Sequence, residues 1–418
     1  MALEVNRSYQ GPELLEQEVV ERKGLGHPDT LVDGIAEFSE IQYAKHCLER
    51  FGAIPHHNLD KAMLLGGLCV QQFGGNDFES PLRMIFMGRA SKSFGGEEIP
   101  LADLQDQAAR TYLRRVMPHL DTSDAHVYSA ESLTSDHSTR PFWFSPRSIE
   151  DLPEYMTEMP RANDTATMIS YWPLTETEKL TLDLEGFFYS DDEHGMPVPR
   201  FDFVGQDIKV MSVRNGNIIT STLAIPQITT HTADAKEYFD REKYIEEVLQ
   251  EYAQDKIGDT VFAQVIVNTQ TKGPNPRPYL VTGGSCTDFG EEGAVGRGNK
   301  THGIISSFRP NTMEAPHGKN PTYFVGKLLG YQADLISKQI YEQLGSRCQV
   351  ILQANLGDDL FDPSRIIVST ESDVAKIDVD RVVAECLGLG RETTNRIIND
   401  AHFLPRTNVW NAHGKQGQ

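Results

Sequence analysis

The segment Lys209–Ile225 constrains the fold of this chain more than any other. Two apolar, β-branched runs flank Asn215-Gly216, a residue pair that tight hairpin turns favour, so the sequence predicts a β-hairpin here. Helical patterns lie on both sides of it, at Thr30–Arg50 and Ala235–Lys256. A hairpin mixed with helices favours an α+β fold over a doubly wound fold, in which strands and helices alternate strictly.

The other elements follow from shorter apolar runs and from turn residues. The length of 418 residues suggests two to three domains. The expected strands are Ala62–Val70, Arg83–Met87, Val261–Thr269 and Val350–Ala354. The expected helices are Thr322–Gly345 and Val379–Phe403, and the expected loops are Thr122–Pro160 and Thr271–Pro278.

Charge and composition exclude several classes of function. The chain carries 60 acidic and 39 basic residues, a net charge of −21, which disfavours sequence-independent binding to nucleic acid. No apolar run approaches the ~20 residues of a membrane helix, and the polar, acidic start is unlike a signal peptide. The five widely spaced cysteines match neither a disulfide framework nor a zinc site. We therefore expect a cytoplasmic protein without nucleic-acid or membrane partners.

One segment is basic against this acidic background. Gly296–Lys327 holds five basic residues and a single acidic one, Glu314. Its glycines would let backbone N–H groups approach a phosphate, and its basic side chains would supply charge. The glycine spacing matches neither a P-loop nor a dinucleotide fingerprint. The residues of this candidate phosphate loop are Gly296, Arg297, Gly298, Asn299 and Lys300, followed by Lys319 and Lys327.

The run Gly24-Leu25-Gly26-His27-Pro28-Asp29 is a second candidate. Pro28 suits the first turn of a helix, and His27 would lie at its positive end, where anions bind. Asp29, Asp33 and Glu37 are spaced i, i+4, i+8, so they share one helix face. Close carboxylates repel each other unless a cation lies between them or water screens them. Composition alone favours the second case, a helix cap with a solvated acidic face.

Three shorter segments place polar side chains where a site could use them. For His56–Lys61, just before an apolar strand, the sequence does not separate a polar loop from a functional site. Asp164 has no evident structural role, whereas Thr175 and Glu178 predict a capping box for the helix that follows. Asp207 and Lys209 fall on one face of the first hairpin strand, where charged side chains are usually solvated.

Taken together, these segments resemble the archaeal-type S-adenosylmethionine synthetases (methionine adenosyltransferases). The motifs occur in the order of that family over roughly Val19–Pro363, which makes the resemblance specific for the family. The matching runs are VERKGLGHPD, HHNLDK, QFGG, GRA, RANDT, PLTETE, GQDIKVM, VGRGN, RP, GKNP and VGK. The resemblance implies three similar α/β-sandwich domains with pseudo-threefold symmetry and mixed or antiparallel sheets with helices on one face. The approximate domain ranges are 16–135, 136–257 and 258–405, with true boundaries that interleave.

In the family reaction, the sulfur of methionine attacks C5′ of ATP and the whole triphosphate leaves. The triphosphate is then hydrolysed to pyrophosphate and phosphate. The resemblance therefore implies Mg²⁺ and K⁺ as cofactors. It implies ATP or another NTP, with methionine or a related thioether, as substrates. It also implies a homodimer, or a higher assembly, with sites at the subunit interface.

The site residues carry over by motif. His27 would contact the bridging oxygen that leaves with the triphosphate, and Asp29 would hold Mg²⁺ together with Asp207. Asp60 and Asp164 would line the metal and nucleoside side. The resemblance gives a phosphate-binding role to Lys61, Lys209, Arg297, Lys319 and Lys327.

The sequence departs from the family pattern on the amino-acid side of the site. Glu291 stands where the family has an aspartate that resembles the one contacting the methionine ammonium. The stretch around Leu68 is more apolar than in the family, and Phe324 replaces a histidine. Three functions stay open: a methionine adenosyltransferase, a relative that makes the same C5′ displacement with another nucleophile or another NTP in a specialised pathway, and a catalytically weak regulatory homologue. The retained set that argues against the last is His27, Asp29, Lys209 and Lys319.

Overall fold

The computed structural model describes residues 3–75, 77–152, 160–192 and 197–407. Within these ranges, seven α-helices and three large β-sheets form an α+β fold, as the sequence predicts. The helices are α1 (Pro28–Phe51), α2 (Leu101–Val116), α3 (Glu176–Gly186), α4 (Ala235–Ile257), α5 (Val325–Leu344), α6 (Lys376–Leu387) and α7 (Glu392–Asn399). The strands of the large sheets are β1 (Leu3–Asn6), β2 (Gln17–Lys23), β3 (His57–Leu65), β4 (Leu82–Ala90), β5 (Tyr128–Ser132), β6 (Ala166–Trp172), β7 (Lys209–Asn215), β8 (Ile218–Ala224), β9 (Phe262–Val267), β10 (Gly293–Ala294), β11 (Ile305–Ser306), β12 (Cys348–Ala354) and β13 (Arg365–Thr370).

The first sheet has the strand order β10-β3-β4-β5 and packs against α1 and α2. Its strands are antiparallel except for β5, which runs parallel to β4. Helix α1 begins after His27, whose Nδ1 accepts a hydrogen bond from the N–H of Asp29, and it ends at Gly52 with a φ of 69°. Gly34 allows α2 to pack closely, because a Cβ there would lie 2.1 Å from the ring of Tyr112. The sheet and α2 thus fix the direction in which α1 presents its N-terminus.

The second sheet has the order β9-β8-β7-β2-β11 and packs against α3 and α4. Strands β7 and β8 form the predicted hairpin, with Asn215 paired to Ile218. Its turn residues are therefore Gly216 and Asn217, one position later than the Asn-Gly pair suggests, and Gly216 takes a φ of 58°. The predicted capping box is confirmed at the start of α3, where Thr175 and Glu178 exchange side-chain and backbone hydrogen bonds.

The third sheet has the order β1-β13-β12-β6 and packs against α5 and α6. Every second residue of β12 is buried, as expected for a strand with one face in the core. The buried face consists of Cys348, Val350, Leu352 and Ala354. This sheet therefore supports α5, whose first turn is the end of the basic segment Gly296–Lys327.

Each sheet combines strands that are distant in the sequence. The second sheet takes β2 from the range 16–135, β7 and β8 from 136–257, and β9 and β11 from 258–405. The strands of this sheet thus come from all three of the ranges given above. The three contiguous ranges stay an approximate prediction.

Two local expectations are wrong. The segment Thr122–Pro160 is not a loop throughout, because it contains β5, which gains backbone hydrogen bonds by pairing with β4. The segment Val379–Phe403 is not one helix, because Gly388 and Gly390 follow the end of α6 and a new helix, α7, begins at Glu392. Among the described residues, no helix is both long and apolar enough to cross a membrane.

Candidate active site

The N-terminus of α1 lies against the segment that leads into β7. The N–H of Gly24 donates to the carbonyl of Ile208 at 2.8 Å, and the N–H of Gly26 donates to that of Gln206 at 2.9 Å. A Cβ at Gly26 would lie 2.4 Å from the backbone carbonyl carbon of Gln206, so only glycine fits this contact. The two glycines therefore bring His27 close to Asp207, although 180 positions separate them in the sequence.

His27 is a neutral hydrogen-bond donor at this helix terminus. Its Nδ1 accepts the backbone N–H of Asp29 at 3.2 Å, which assigns the ring proton to Nε2. Burial lowers the pKa of His27 below its usual range, against the opposing effect of the Asp207 and Asp29 carboxylates. The side chain can thus donate from Nε2 at pH 7, at a point where the helix dipole also favours an anion.

Asp29 and Asp207 are both buried and both accept hydrogen bonds. Asp29 Oδ2 lies 2.9 Å from the ammonium of Lys23, and its Oδ1 accepts the N–H of Ala294 at 3.1 Å. Asp207 Oδ2 accepts the Tyr279 hydroxyl at 2.8 Å and the N–H of Cys286 at 3.0 Å. In the described ranges, no three His, Cys, Asp or Glu side chains form a ready-made metal site. Mg²⁺ is usually bound by one or two carboxylates together with substrate phosphates, so this pair has suitable chemistry for it.

The candidate phosphate loop, Gly296–Lys300, lies against α1 and β2. The N–H of Gly296 donates to Asp33 Oδ1 at 2.6 Å, and a Cβ at Gly298 would lie 2.2 Å from Asp33 Oδ2. Asn299 exchanges two hydrogen bonds with the backbone of Lys23, at 3.0 and 2.7 Å. The loop backbone is thus held beside the α1 terminus.

The acidic face of α1 is buried, so the expectation of a solvated acidic face is wrong. Asp33 contacts His317 at 3.3 Å as well as the Gly296 N–H, and Glu37 contacts Lys327 at 2.8 Å. Burial disfavours the charged form of His317, but the Asp33 and Glu37 carboxylates outweigh it and raise the pKa of His317. Cations and N–H groups from distant segments therefore replace water on this face.

Three basic side chains surround His27 and Asp29. Lys23 bridges Asp29 and the carbonyl of Arg297, at 2.9 and 2.7 Å. Lys209 lies opposite Lys23 on the neighbouring strand and contacts Glu21 at 3.0 Å. The Arg297 guanidinium is 73% exposed and lies 3.9 Å from Asp29. We call the following set the α1 site: Lys23, His27, Asp29, Asp207, Lys209 and Arg297.

Lys319 lies beside β3. The neighbouring Gly318 contacts Glu37, which is two turns after Asp29 on α1. The Lys319 ammonium contacts Glu314 at 2.6 Å and lies 4.7 Å from the centre of the Phe324 ring. The backbone of Lys319 forms an isolated antiparallel β-bridge with Asn58. Asn58 precedes Asp60 by two residues and Lys61 by three. Lys61 is 60% exposed and contacts Asp60 at 2.8 Å.

Other predicted side chains lie outside the α1 site. Lys327 is completely buried between Glu37 and Glu40. Lys300 donates to the carbonyl of Thr312, and burial lowers its pKa. Asp164 and Glu291 are exposed and, like Lys61, lie outside the set.

The sequence pattern of the S-adenosylmethionine synthetase (AdoMet synthetase) family matches residues 4–401. The chain belongs to this family. It is 32% identical to the S-adenosylmethionine synthase of Haloarcula marismortui over 371 residues, which covers 87% of this chain and 88% of that protein. It is 30% identical to the probable S-adenosylmethionine synthase of Aquifex aeolicus over 394 residues, covering 92% of this chain and 94% of that protein.

Two further similarities concern a relative without a known activity and a solved fold. An uncharacterised protein of Streptococcus pyogenes serotype M3 is 49% identical over 413 residues, covering 98% of this chain and 100% of that protein. The fold is similar to that of an unusual S-adenosylmethionine synthetase from Campylobacter jejuni, with a TM-score of 0.55 at 13% identity. That similarity covers 95% of this chain and 88% of the other.

Two features of this S-adenosylmethionine synthetase family member were not predicted from the sequence. Lys23 belongs to the VERKGLGHPD run, so its position directly before the glycines was the available signal. The second feature is a cleft of about 600 Å³ that shares Asn299 and Lys300 with the candidate loop. His302 borders it, stacked on Tyr171 and 3.4 Å from Asp334, and no short motif marks this contact.

Proposed function

We propose that this protein is a methionine adenosyltransferase, which forms S-adenosylmethionine from ATP and methionine and releases triphosphate that is hydrolysed to pyrophosphate and phosphate. The observation that carries the proposal is the α1 site. A neutral His27 with a free Nε2–H stands at a helix N-terminus, between two buried carboxylates and three basic side chains. Membership of the family supports the same reaction.

The chemistry requires little proton transfer. A thioether sulfur is nucleophilic without a base, so the protein has to orient the reactants and stabilise the charge on the departing triphosphate. His27 Nε2–H would donate to the bridging oxygen as it gains charge. Lys23, Lys209 and Arg297 would neutralise the phosphates, assisted by backbone N–H groups of the glycine-rich loop.

Asp29 and Asp207 would hold Mg²⁺, which, when bound, reduces the charge of the triphosphate. K⁺ belongs to the same proposal as a second cation. Before substrate binds, the ammonium groups of Lys23 and Lys209 lie on Asp29 and Glu21. Binding of a polyanion with its metal ion would therefore exchange these internal partners for phosphate oxygens. We propose further that the protein acts in the cytoplasm as a homodimer.

A second candidate is the same displacement with a nucleophile other than methionine, or with an NTP other than ATP. One structural observation favours a different nucleophile over a different NTP. Leu68 and Phe289 form a β-bridge, and they are 46% and 40% exposed beside Glu291. An apolar, exposed pair next to this longer carboxylate would suit a bulkier or more apolar amine-bearing thioether.

The test is a product analysis. The pure protein is incubated with Mg²⁺, K⁺, methionine and each of the four common NTPs, and the products are identified by mass spectrometry. S-adenosylmethionine from ATP at enzyme-like rates supports the proposal. Adduct formation with another NTP, or loss of triphosphate from ATP only with a different thioether, supports the second candidate. If no NTP and no thioether reacts, both fail and the catalytically weak regulatory homologue is favoured.

A further inference from the structure

Lys327 has three hydrogen-bond acceptors in the protein interior. Lys327 donates to Glu37 Oε2 and Glu40 Oε2, both at 2.8 Å, and to the backbone carbonyl of Lys319 at 2.9 Å. These contacts use all three N–H donors of the ammonium. Because the side chains of Lys327, Glu37 and Glu40 have no exposed surface, the ammonium cannot reach a phosphate in this structure.

The Glu37 carboxylate also binds the backbone of Gly318, the residue before Lys319. Glu37 Oε2 accepts the N–H of Gly318 at 3.0 Å, and Lys327 donates to the carbonyl of Lys319, so the two side chains bind the peptide groups on either side of the Gly318-Lys319 bond. Gly318 has a φ of 72°, and a Cβ there would lie 2.5 Å from the carbonyl oxygen of Leu59. The carbonyl of Gly318 in turn accepts the N–H of Leu59 at 2.8 Å. The turn is therefore fixed between α1 and β3.

The ionic network of Lys327, Glu37 and Glu40 costs free energy to bury, although it fixes only the turn at Gly318 and Lys319. Burying an ion pair costs desolvation energy that its attraction does not always recover, and an apolar cluster of similar volume is often at least as stable. Burial disfavours the charged form of Lys327, but Glu37 and Glu40 outweigh it and raise its pKa. The ammonium thus stays charged, and its directional contacts fix a backbone position that apolar packing would not fix.

On the basis of the proposed function, we propose that Lys327 is a positioning residue: with Glu37 it fixes the backbone of Gly318 and Lys319 so that the Lys319 ammonium can contact the phosphates of the substrate. Lys327 itself does not bind phosphate. The Lys319 ammonium lies on Glu314, whose side chain is one-third exposed, so a polyanion could replace this carboxylate while the contacts of Lys327 stay in place.

The experiment is a double-mutant cycle on the binding of inorganic tripolyphosphate with Mg²⁺, measured by titration calorimetry. One arm is Lys319→Met, and the other is the paired variant Lys327→Met/Glu37→Gln. The paired variant removes the ammonium together with one carboxylate charge and leaves Glu40 in contact with His57, 3.2 Å away. The third protein combines all three substitutions.

We expect Lys319→Met to weaken tripolyphosphate binding about 30-fold and the paired variant to weaken it about tenfold. If Lys327 acts through Lys319, the combined protein binds no more weakly than Lys319→Met alone. A loss in the combined protein equal to the product of the two separate losses overturns the proposal, because Lys327 then acts on its own. A paired variant that binds like the wild type also overturns it, since the network then serves stability alone.

The matched control is Arg214→Met/Glu18→Gln. This pair is also largely buried, at 3.3 Å, but it lies on β7 and β2 and has no contact with the turn. We expect it to lower the melting temperature without changing the effect of Lys319→Met. Wild-type protein that binds tripolyphosphate but forms no product with any tested nucleophile refutes the proposed function and leaves the cycle interpretable. Wild-type protein that does not bind tripolyphosphate overturns the positioning role.

Discussion

Gly26→Ala tests whether the contact between the α1 terminus and Gln206 assembles the α1 site. The new Cβ would lie 2.4 Å from the carbonyl carbon of Gln206 and 2.6 Å from its oxygen. Both are backbone atoms, so no side-chain rotation relieves the clash. Ordinary contacts start near 3.4 Å, and the two segments would therefore have to separate by about 1 Å.

This separation acts directly between His27 and Asp207. A misplacement of about 1 Å can lower turnover about 100-fold, and overpacking typically costs about 1–3 kcal/mol of unfolding free energy. The assay is the rate of formation of the mass-identified product, together with the melting temperature. Gly273→Ala is the matched control, because a Cβ there meets no atom within 4 Å. Wild-type turnover in Gly26→Ala would refute the claim that this contact assembles the site.

Three further predictions concern charge and metal. Lys23→Met should lower turnover about 100-fold through loss of a charge contact to the departing triphosphate, whereas Lys243→Met, on the exposed side of α4, should leave the measured rate unchanged. His56 stacks on Trp143 at 3.5 Å, and burial lowers the pKa of His56 to about 3. Because only the unfolded chain then binds a proton there between pH 6.5 and about 3, His56 should lower the unfolding free energy by about 1.4 kcal/mol per pH unit on acidification through this window, and His56→Phe should reduce the measured slope in denaturant titrations. Excess EDTA should abolish product formation, added Mg²⁺ should restore it, and full activity without divalent metal would contradict the assignment of Asp29 and Asp207.

The local elements were predictable where one short segment contains the whole signal. The hairpin of β7 and β8 follows from β-branched runs around a glycine turn, and the Thr175 capping box follows from a spacing of three residues. Helix α1 has its start signal in Pro28 and its end signal in Gly52. In each case the partners of the backbone groups lie within a few positions, so the sequence pattern and the structure report the same contacts.

The environment of the α1 carboxylates could not be predicted in this way. The partners of Asp33 and Glu37 come from the segments around Gly296 and Lys327, more than 250 positions away. The i, i+4, i+8 spacing shows that the carboxylates share a face, but it does not show what covers that face. The family motifs supplied the missing information only as a set of residues, and they left the direction of each side chain open.

The direction of each side chain matters most for the last two lysines of the basic segment Gly296–Lys327. Lys319 and Lys327 both follow a glycine, and both belong to motifs of the family. Both side chains are buried, and the structure separates them by their partners: the Lys319 ammonium lies on Glu314, which is one-third exposed, whereas Lys327 and its glutamates have no exposed surface. Helix α1 places Asp29 at its N-terminus and Glu37, the partner of Lys327, two turns further along. In the proposed function, one row of carboxylates therefore faces the substrate at one end and holds the candidate phosphate-binding segments at the other.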